Sequence, residues 1–508
     1  MKLLKNATIV DGSGAAPVVG DLLLDGSSIA AIGVFVPPVD VETINCAGLV
    51  VAPGFIDAHS HSDLQILEGR VEKALQGVTA EVVGNCGFSA YPMATRPDAV
   101  RGFAAEILGS DHSWFWPSAT AYISAAAQAP LVSVSSLVGH GTLRVEVAGM
   151  EQRPLTPAEL DRMQQLAAEA LDAGAVGIST GLMYAPGSSA PSEELECMCR
   201  VAAARGKLHA THMRNYGARL VEAVDEQIDL ARRTGCTLQI SHLQAVGRTN
   251  WNLQQIALDH IHQAAGEGID VAYDGYPYLA GNTTLTQLLP QWALNGGVEA
   301  LEVRLDEDVT RERIAAEIKA NMAFPWTDVY LTSVASAGNQ QLVGLNFTRI
   351  AEQRGKDPCE VLFDLLREER GKATMLTFNQ SEENLRRALT DPLCIIITDG
   401  LYVPGRHHPR LHGTFPRLLG DLCRRQHWFT LAEAVHKITG KPAARFGMKR
   451  QGLLRKGYLA DIVIFDPDAI DSGADYENPE VKPAGIHSVY RNGERLNLVP
   501  SFNPPHIN

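Results

Sequence analysis

Cysteine is scarce in this chain, with eight in 508 residues. Spread so thinly, the cysteines do not make the dense disulfide framework of small secreted domains. Most, such as Cys197 and Cys199 in a helical pattern, read as buried reduced thiols. No stretch approaches the roughly 20 continuous apolar residues of a membrane span. The N-terminal MKLLKNATIVDGSG has too few apolar residues before Asp11 and Gly12 for a signal peptide. Both absences lead to the expectation of a cytoplasmic protein with no membrane partner. Long runs of Lys or Arg are also missing, and the formal charge is −14, which argues against nucleic acid as a partner. No internal repeat or low-complexity tract is evident.

What is present is an ordinary globular composition, 45% hydrophobic and 20% charged, with length enough for one large core and smaller units. The first fifty residues give short alternating strands between Gly and Asp turns. The same texture returns in GYLADIVIFDPDAI and IHSVYRNGERL. Residues 1–52 plus 452–508 are therefore expected to form one small discontinuous β domain, of β-sandwich type. Between them, short apolar runs such as AVGISTGL, KLHATHMRN, TLQISHLQA and LCIIITDG alternate with amphipathic stretches. That rhythm predicts parallel βα units closing into a (β/α)8 TIM-type barrel over 53–451. Residues 285–345 interrupt it and are expected to be an insertion or lid over the barrel mouth.

Several of these apolar runs end in a residue with metal or acid chemistry. His59 and His61, in FIDAHSHSD, are two apart and so share one face of a strand. Cys86 follows the run in TAEVVGNCGFS, where it is either a ligand for a borderline-soft ion such as Zn²⁺ or a small turn residue. His212 and His242 end two further runs; His209 is assigned a structural place. Asp399 ends CIIITDG, and is either a turn residue or a carboxylate that moves a proton between a metal-activated water and a leaving amine.

The order His-x-His, Cys, His, His, Asp resembles that of the amidohydrolase superfamily, and within it the D-aminoacylase or N-acyl-D-amino-acid deacylase family. The likeness runs nearly end to end, through GFIDAHSHSD, QGVTAEVVGNCGFS, VGHGTLR, GISTGLMYAPG, THMRN, ISHLQ, YDGYPYLAGNTTL, HPRLHGTFPRLLG and KGYLADIVIFDP. It implies a tightly bound zinc on Cys86, His212 and His242, and a second, weaker metal position facing His59, His61 and Asp399, with Cys86 able to touch both. No carboxylated lysine is needed. It also implies substrate contacts from Tyr184, Tyr276 and Arg410, each with a plain alternative as a rim aromatic or an Arg paired to an acid. His140 is expected either to support the site from behind or to orient a loop.

Three positions depart from the family pattern, all on the substrate side. Gln244 stands where a Lys is usual, Asn282 where a Ser is usual, and Asn215 and Tyr216 where an acidic residue follows the His-x-Arg segment. Gln donates a hydrogen bond but supplies no charge, so a substrate carboxylate loses one anchor. The leading expectation is metal-dependent hydrolysis of a small-molecule amide with Asp399 as base and acid, on N-acyl-D-amino acids or on a shifted substrate. The alternatives are ring opening of a cyclic amide such as a hydantoin or dihydropyrimidine and, from a different class, a non-catalytic scaffold. A homo-oligomer is left open.

Overall fold

Eight short parallel strands follow one another around a barrel in sequence order. They are β1 (Phe55–Asp57), β2 (Val78–Val83), β3 (Ser133–Gly139), β4 (Gly177–Gly181), β5 (Leu208–His212), β6 (Thr237–Ile240), β7 (Val271–Gly275) and β8 (Cys394–Ile396). The computed structural model describes residues 1–36, 41–109, 114–402 and 405–498. Apart from the first residues of β3 and β6, these strands are buried along their length. Side chains on one face fill the barrel and those on the other meet helices, which is why the strands read as near-continuous apolar runs. The seam between β1 and β8 closes at the mouth. There Ser60–His61 pairs in parallel with Gly400–Leu401, and Asp57 Oδ1 accepts the Thr398 amide at 2.9 Å.

The covering helices carry their own start and stop signals. Helix α1 (Pro157–Asp172) begins with Pro157 in its first turn and a reciprocal capping box between Thr156 and Glu159. Helix α2 (Ser192–Ala203) follows β4, and α3 (Leu220–Thr234) ends on Gly235 in the left-handed region at φ 69°. Leu220, Ala223, Val224, Ile228 and Ala231 form the buried stripe of α3, spaced to face the barrel. Each fully buried Leu, Ile or Val contributes about 1.5–3 kcal/mol. Ile228→Asp would put an unpaired carboxylate into that stripe and break the packing.

The two chain ends do meet in one sheet of eight strands, where Val50–Pro53 runs antiparallel to Ile462–Phe465. Residues 37–40 and 499–508 of that expected domain lie outside the described residues. The interrupting unit is wider than 285–345. It starts in strand Ala280–Thr284 and closes only in Thr374–Phe378, with Val329–Ser333 as the third strand of an antiparallel sheet. Helices Phe347–Arg354 and Pro358–Glu368, which keep the βα texture of the barrel, pack instead in this unit's own core with Leu285, Leu301, Ile314 and Leu331. No helix among the described residues is long and apolar enough to cross a membrane.

Candidate metal centre and its cavity

Strand ends bring all six expected metal-site residues together. His59 and His61 follow β1, Cys86 follows β2, His212 ends β5, His242 follows β6 and Asp399 follows β8, and all six are buried. Cys86 Sγ stands 3.3 Å from His59 Nε2 and 3.5 Å from His242 Nε2. His212 Nδ1 lies 3.1 Å from His242 Nε2. Asp399 Oδ1 lies 3.2 Å from His61 Nε2 and 3.4 Å from His59 Nε2. Two donor triads result, His59–His61–Cys86 and Cys86–His212–His242, and they share the sulfur.

These residues fit a metal ion by a test internal to the site. With Zn–S near 2.3 Å and Zn–N near 2.0–2.1 Å, donors around a tetrahedral ion sit about 3.3–3.6 Å apart, which is the spacing of the sulfur–nitrogen pairs.

Backbone geometry aims the donors. Cys86, His242 and Asp399 have positive φ of 54°, 33° and 50°, a conformation that costs roughly 1–3 kcal/mol for a residue with a Cβ. Local pins hold it. The Cys86 carbonyl presses on Gly181, where a Cβ would lie 1.9 Å from its oxygen. The His242 amide donates to Asp274 Oδ1 at 2.6 Å, and the Asp399 amide donates to the His59 carbonyl at 2.9 Å.

Charge is distributed to suit cation binding. Burial and the neighbouring His242 hold His212 well below its ordinary pKa, and burial brings His242 down to about 4. Both imidazoles are thus neutral, the form in which a ring nitrogen can bind a cation. Burial also lowers His61. Burial works against protonation of His59, yet Cys86, Asp274 and Asp399 carry it well above the usual range. The Cys86 thiol is pushed up by burial against the pull of His59, and a bound cation is what stabilises its thiolate. Burial opposes ionisation of Asp399, but the Arg410 guanidinium, then His59 and His61, hold its carboxyl well below the usual range.

Asp274 is the functional residue that sequence reasoning missed. It lies on β7, its Oδ1 stands 3.4 Å from His59 Nδ1, and it also fixes the His242 backbone. A carboxylate behind a ligand imidazole sets the ring's orientation and tautomer. The signal was available, since the buried run VAYDG carries an acid near a strand end just as CIIITDG does. Beneath the site, Lys73 bonds Asp57, Ser60, Glu81 and Thr398, so this buried lysine is committed to the barrel seam.

The five expected substrate contacts, Tyr184, Gln244, Tyr276, Asn282 and Arg410, line a cavity of about 190 Å³ above the cluster. Leu288, Phe324, Met375 and Thr377 of the inserted unit form part of its wall. Arg410 is at once an acid's partner and a cavity residue. Its guanidinium pairs with Asp399 Oδ2 at 2.9 Å and lies over the Tyr276 ring at 4.7 Å, while the buried Nε has no hydrogen-bond partner among the described residues. Tyr276 donates to Gln244 Oε1 at 3.1 Å. The Asn282 amide donates to Thr332 Oγ1 and the Met375 carbonyl, both within the antiparallel sheet of the inserted unit. Tyr184 packs tilted against His212, 4.8 Å between centroids, with its hydroxyl 3.2 Å from Thr283 Oγ1. His140 sits with Glu194 and Arg144, and Arg214 pairs with Glu226 and bonds the Ser188 and Ala190 carbonyls. Both hold loops.

A barrel with metal-type donors and an acid at its strand ends, below a small cavity, defines a metal-dependent hydrolase. The chain belongs to the amidohydrolase family, which it matches over residues 42–496. It is 35% identical to the D-aminoacylase of Alcaligenes xylosoxydans xylosoxydans over 99% of this chain and 96% of that one. It is also 35% identical to the N-acyl-D-glutamate deacylase of the same organism, over 99% and 94%. Among solved structures it is similar to the N-acyl-D-glutamate deacylase of Bordetella bronchiseptica complexed with zinc and a phosphonate mimic of the tetrahedral intermediate, with TM-score 0.84, 33% identity and coverage of 97% and 95%. The protein is a metal-dependent enzyme acting on carbon–nitrogen bonds other than peptide bonds.

Proposed function

We propose that the protein is a zinc-dependent deacylase of N-acyl-D-amino acids whose cavity wall has moved away from strong carboxylate recognition. The observation that carries this is the position of Asp399. One of its oxygens faces His59 and His61, the other is held by Arg410, and the residue lines the floor of the cavity. Cys86, His212 and His242 would hold the zinc, with His59, His61 and Asp399 around a weaker second position. Bound there, the metal supplies Lewis acidity that polarises an amide carbonyl and acidifies water.

Asp399 remains ionised, accepts the proton of the attacking water at Oδ1, and returns it to the departing amine nitrogen. Arg410 keeps that carboxylate anionic and turned toward the histidines. It is the one Lys or Arg lining the cavity among the described residues, which makes its guanidinium the anchor for a substrate carboxylate. Gln244, with its oxygen taken by Tyr276, offers its amide N–H beside it. At about 190 Å³ the cavity is below the usual 300–1,000 Å³ of drug-sized ligand sites, which fits a small amide.

The test is an assay of metal-analysed protein against N-acyl-D-amino acids, their L enantiomers, neutral amides and cyclic imides. Amine release from the D series is the expected result. Ring opening without amine release would replace this reading with the cyclic-amide one, for which the hydantoinases, at 17% identity, support only the fold.

A further inference from the structure

A second group of metal-type donors lies on the other face of the strand that carries His212. His209 and His212 are three residues apart on β5, so their side chains leave opposite faces. His209 points outward, beneath α2 and α3. There it meets Cys199 of α2 and Cys236, which follows the Gly235 cap of α3. The three residues are only 1%, 1% and 3% exposed, and their donor atoms all lie within 4.8 Å of one another. Cys199 Sγ is 3.5 Å from His209 Nδ1, again the spacing of sulfur and nitrogen around one small cation.

The tautomer follows from the hydroxyls behind the ring. The Thr180 hydroxyl donates to Thr211 Oγ1 at 2.9 Å, so in its 3.0 Å contact with His209 Nε2 it must accept. The ring proton therefore sits on Nε2, and Nδ1 turns its lone pair toward the sulfurs, the state a ligand imidazole needs.

We propose that Cys199, Cys236 and His209 form a second metal site that holds one soft d10 cation, Zn²⁺ or Cu⁺, through two thiolates and one imidazole. Thiolates select soft ions over Mg²⁺, Ca²⁺ or Mn²⁺. Two thiolates neutralise Zn²⁺, and three donors complete the trigonal shell that Cu⁺ accepts. None of the three residues lines the cavity above the catalytic cluster. The site is therefore structural, clamping α2 and the α3–β6 turn to the outside of β5. Its thiol protons are released as the ion enters during folding.

The experiment uses the full chain expressed in zinc-supplemented and, separately, copper-supplemented medium, with metal counted after desalting. The wild type is expected to carry one equivalent more than Cys199→Ser or Cys236→Ser, with deacylase activity unchanged within about twofold; the arm showing the difference identifies the ion. In parallel, X-ray absorption is measured on Cys86→Ala, which lacks the catalytic sulfur, and a shell of two sulfurs and one nitrogen is expected. This second arm stands even where the serine variants do not fold. Equal metal content in wild type and variants in both media, a shell without sulfur in Cys86→Ala, or an intact-mass loss of two hydrogens that marks a Cys199–Cys236 disulfide would each overturn the proposal.

Discussion

Two cysteine–histidine clusters share strand β5 and differ in what surrounds them. Cys86, His212 and His242 sit at the C-terminal strand ends, open to a cavity, with Asp399 and Asp274 within reach. Cys199, His209 and Cys236 sit behind the barrel wall under two helices, with no carboxylate hydrogen-bonded to any of the three among the described residues. The same donor chemistry serves a reaction only where an acid and a substrate can approach it. Buried on all sides, it serves stability. The lesson is that ligand identity sets the ion, whereas the open side and the neighbouring acid set the chemistry.

The largest expected effect falls on the open cluster. Cys86→Ala removes the shared sulfur, so activity and the metal of that centre are lost together while any metal of the sealed cluster stays; metal analysis beside an activity assay separates the two. Asp399→Asn comes next. It leaves Cys86, His212 and His242 in place but ends proton transfer, so kcat should fall by roughly 10²–10⁴-fold with the tightly held metal retained. A variant that loses metal instead would make Asp399 mainly a ligand.

Asp274→Asn sharpens the comparison from behind the ligands. Without its charge, His59 loses its orienting partner, and metal affinity or activity should drop by roughly 10–100-fold, read by chelator competition. The smallest effect concerns the wall. Gln244→Lys restores a cation beside Tyr276, so KM for an N-acyl-D-amino acid should fall about tenfold, equivalent to about 1.4 kcal/mol, with neutral amides unimproved. An unchanged KM would mean that Arg410 alone holds the carboxylate.

How legible these regions are in the sequence follows the same division. The barrel and its donors are local: an apolar run ending in His, Cys or Asp places the side chain at the mouth, so His59, His61, Cys86, His212, His242 and Asp399 are all readable. Asp274 obeys the same rule, but its place behind His59, with Oδ1 3.4 Å from His59 Nδ1, comes from the packing of β7 against a strand more than two hundred residues away in the chain. The wall is not local. The strand Thr374–Phe378 that closes the inserted unit pairs with Ala280–Thr284 across about ninety residues, and helices Phe347–Arg354 and Pro358–Glu368 keep the amphipathic pattern of barrel helices. Periodicity reports that a helix buries one face, not which core it faces. For the same reason His209 reads as a structural histidine, since its partners come from a helix ten residues earlier and a turn twenty-seven residues later.

The most direct test is amine release from N-acyl-D-amino acids by metal-analysed wild-type protein beside Asp399→Asn at equal metal content. Turnover by the wild type, with kcat in the variant lower by at least about 10²-fold, is expected. Equal turnover by both proteins, or no amine from any acylated amino acid by the metal-loaded wild type, would contradict the assignment.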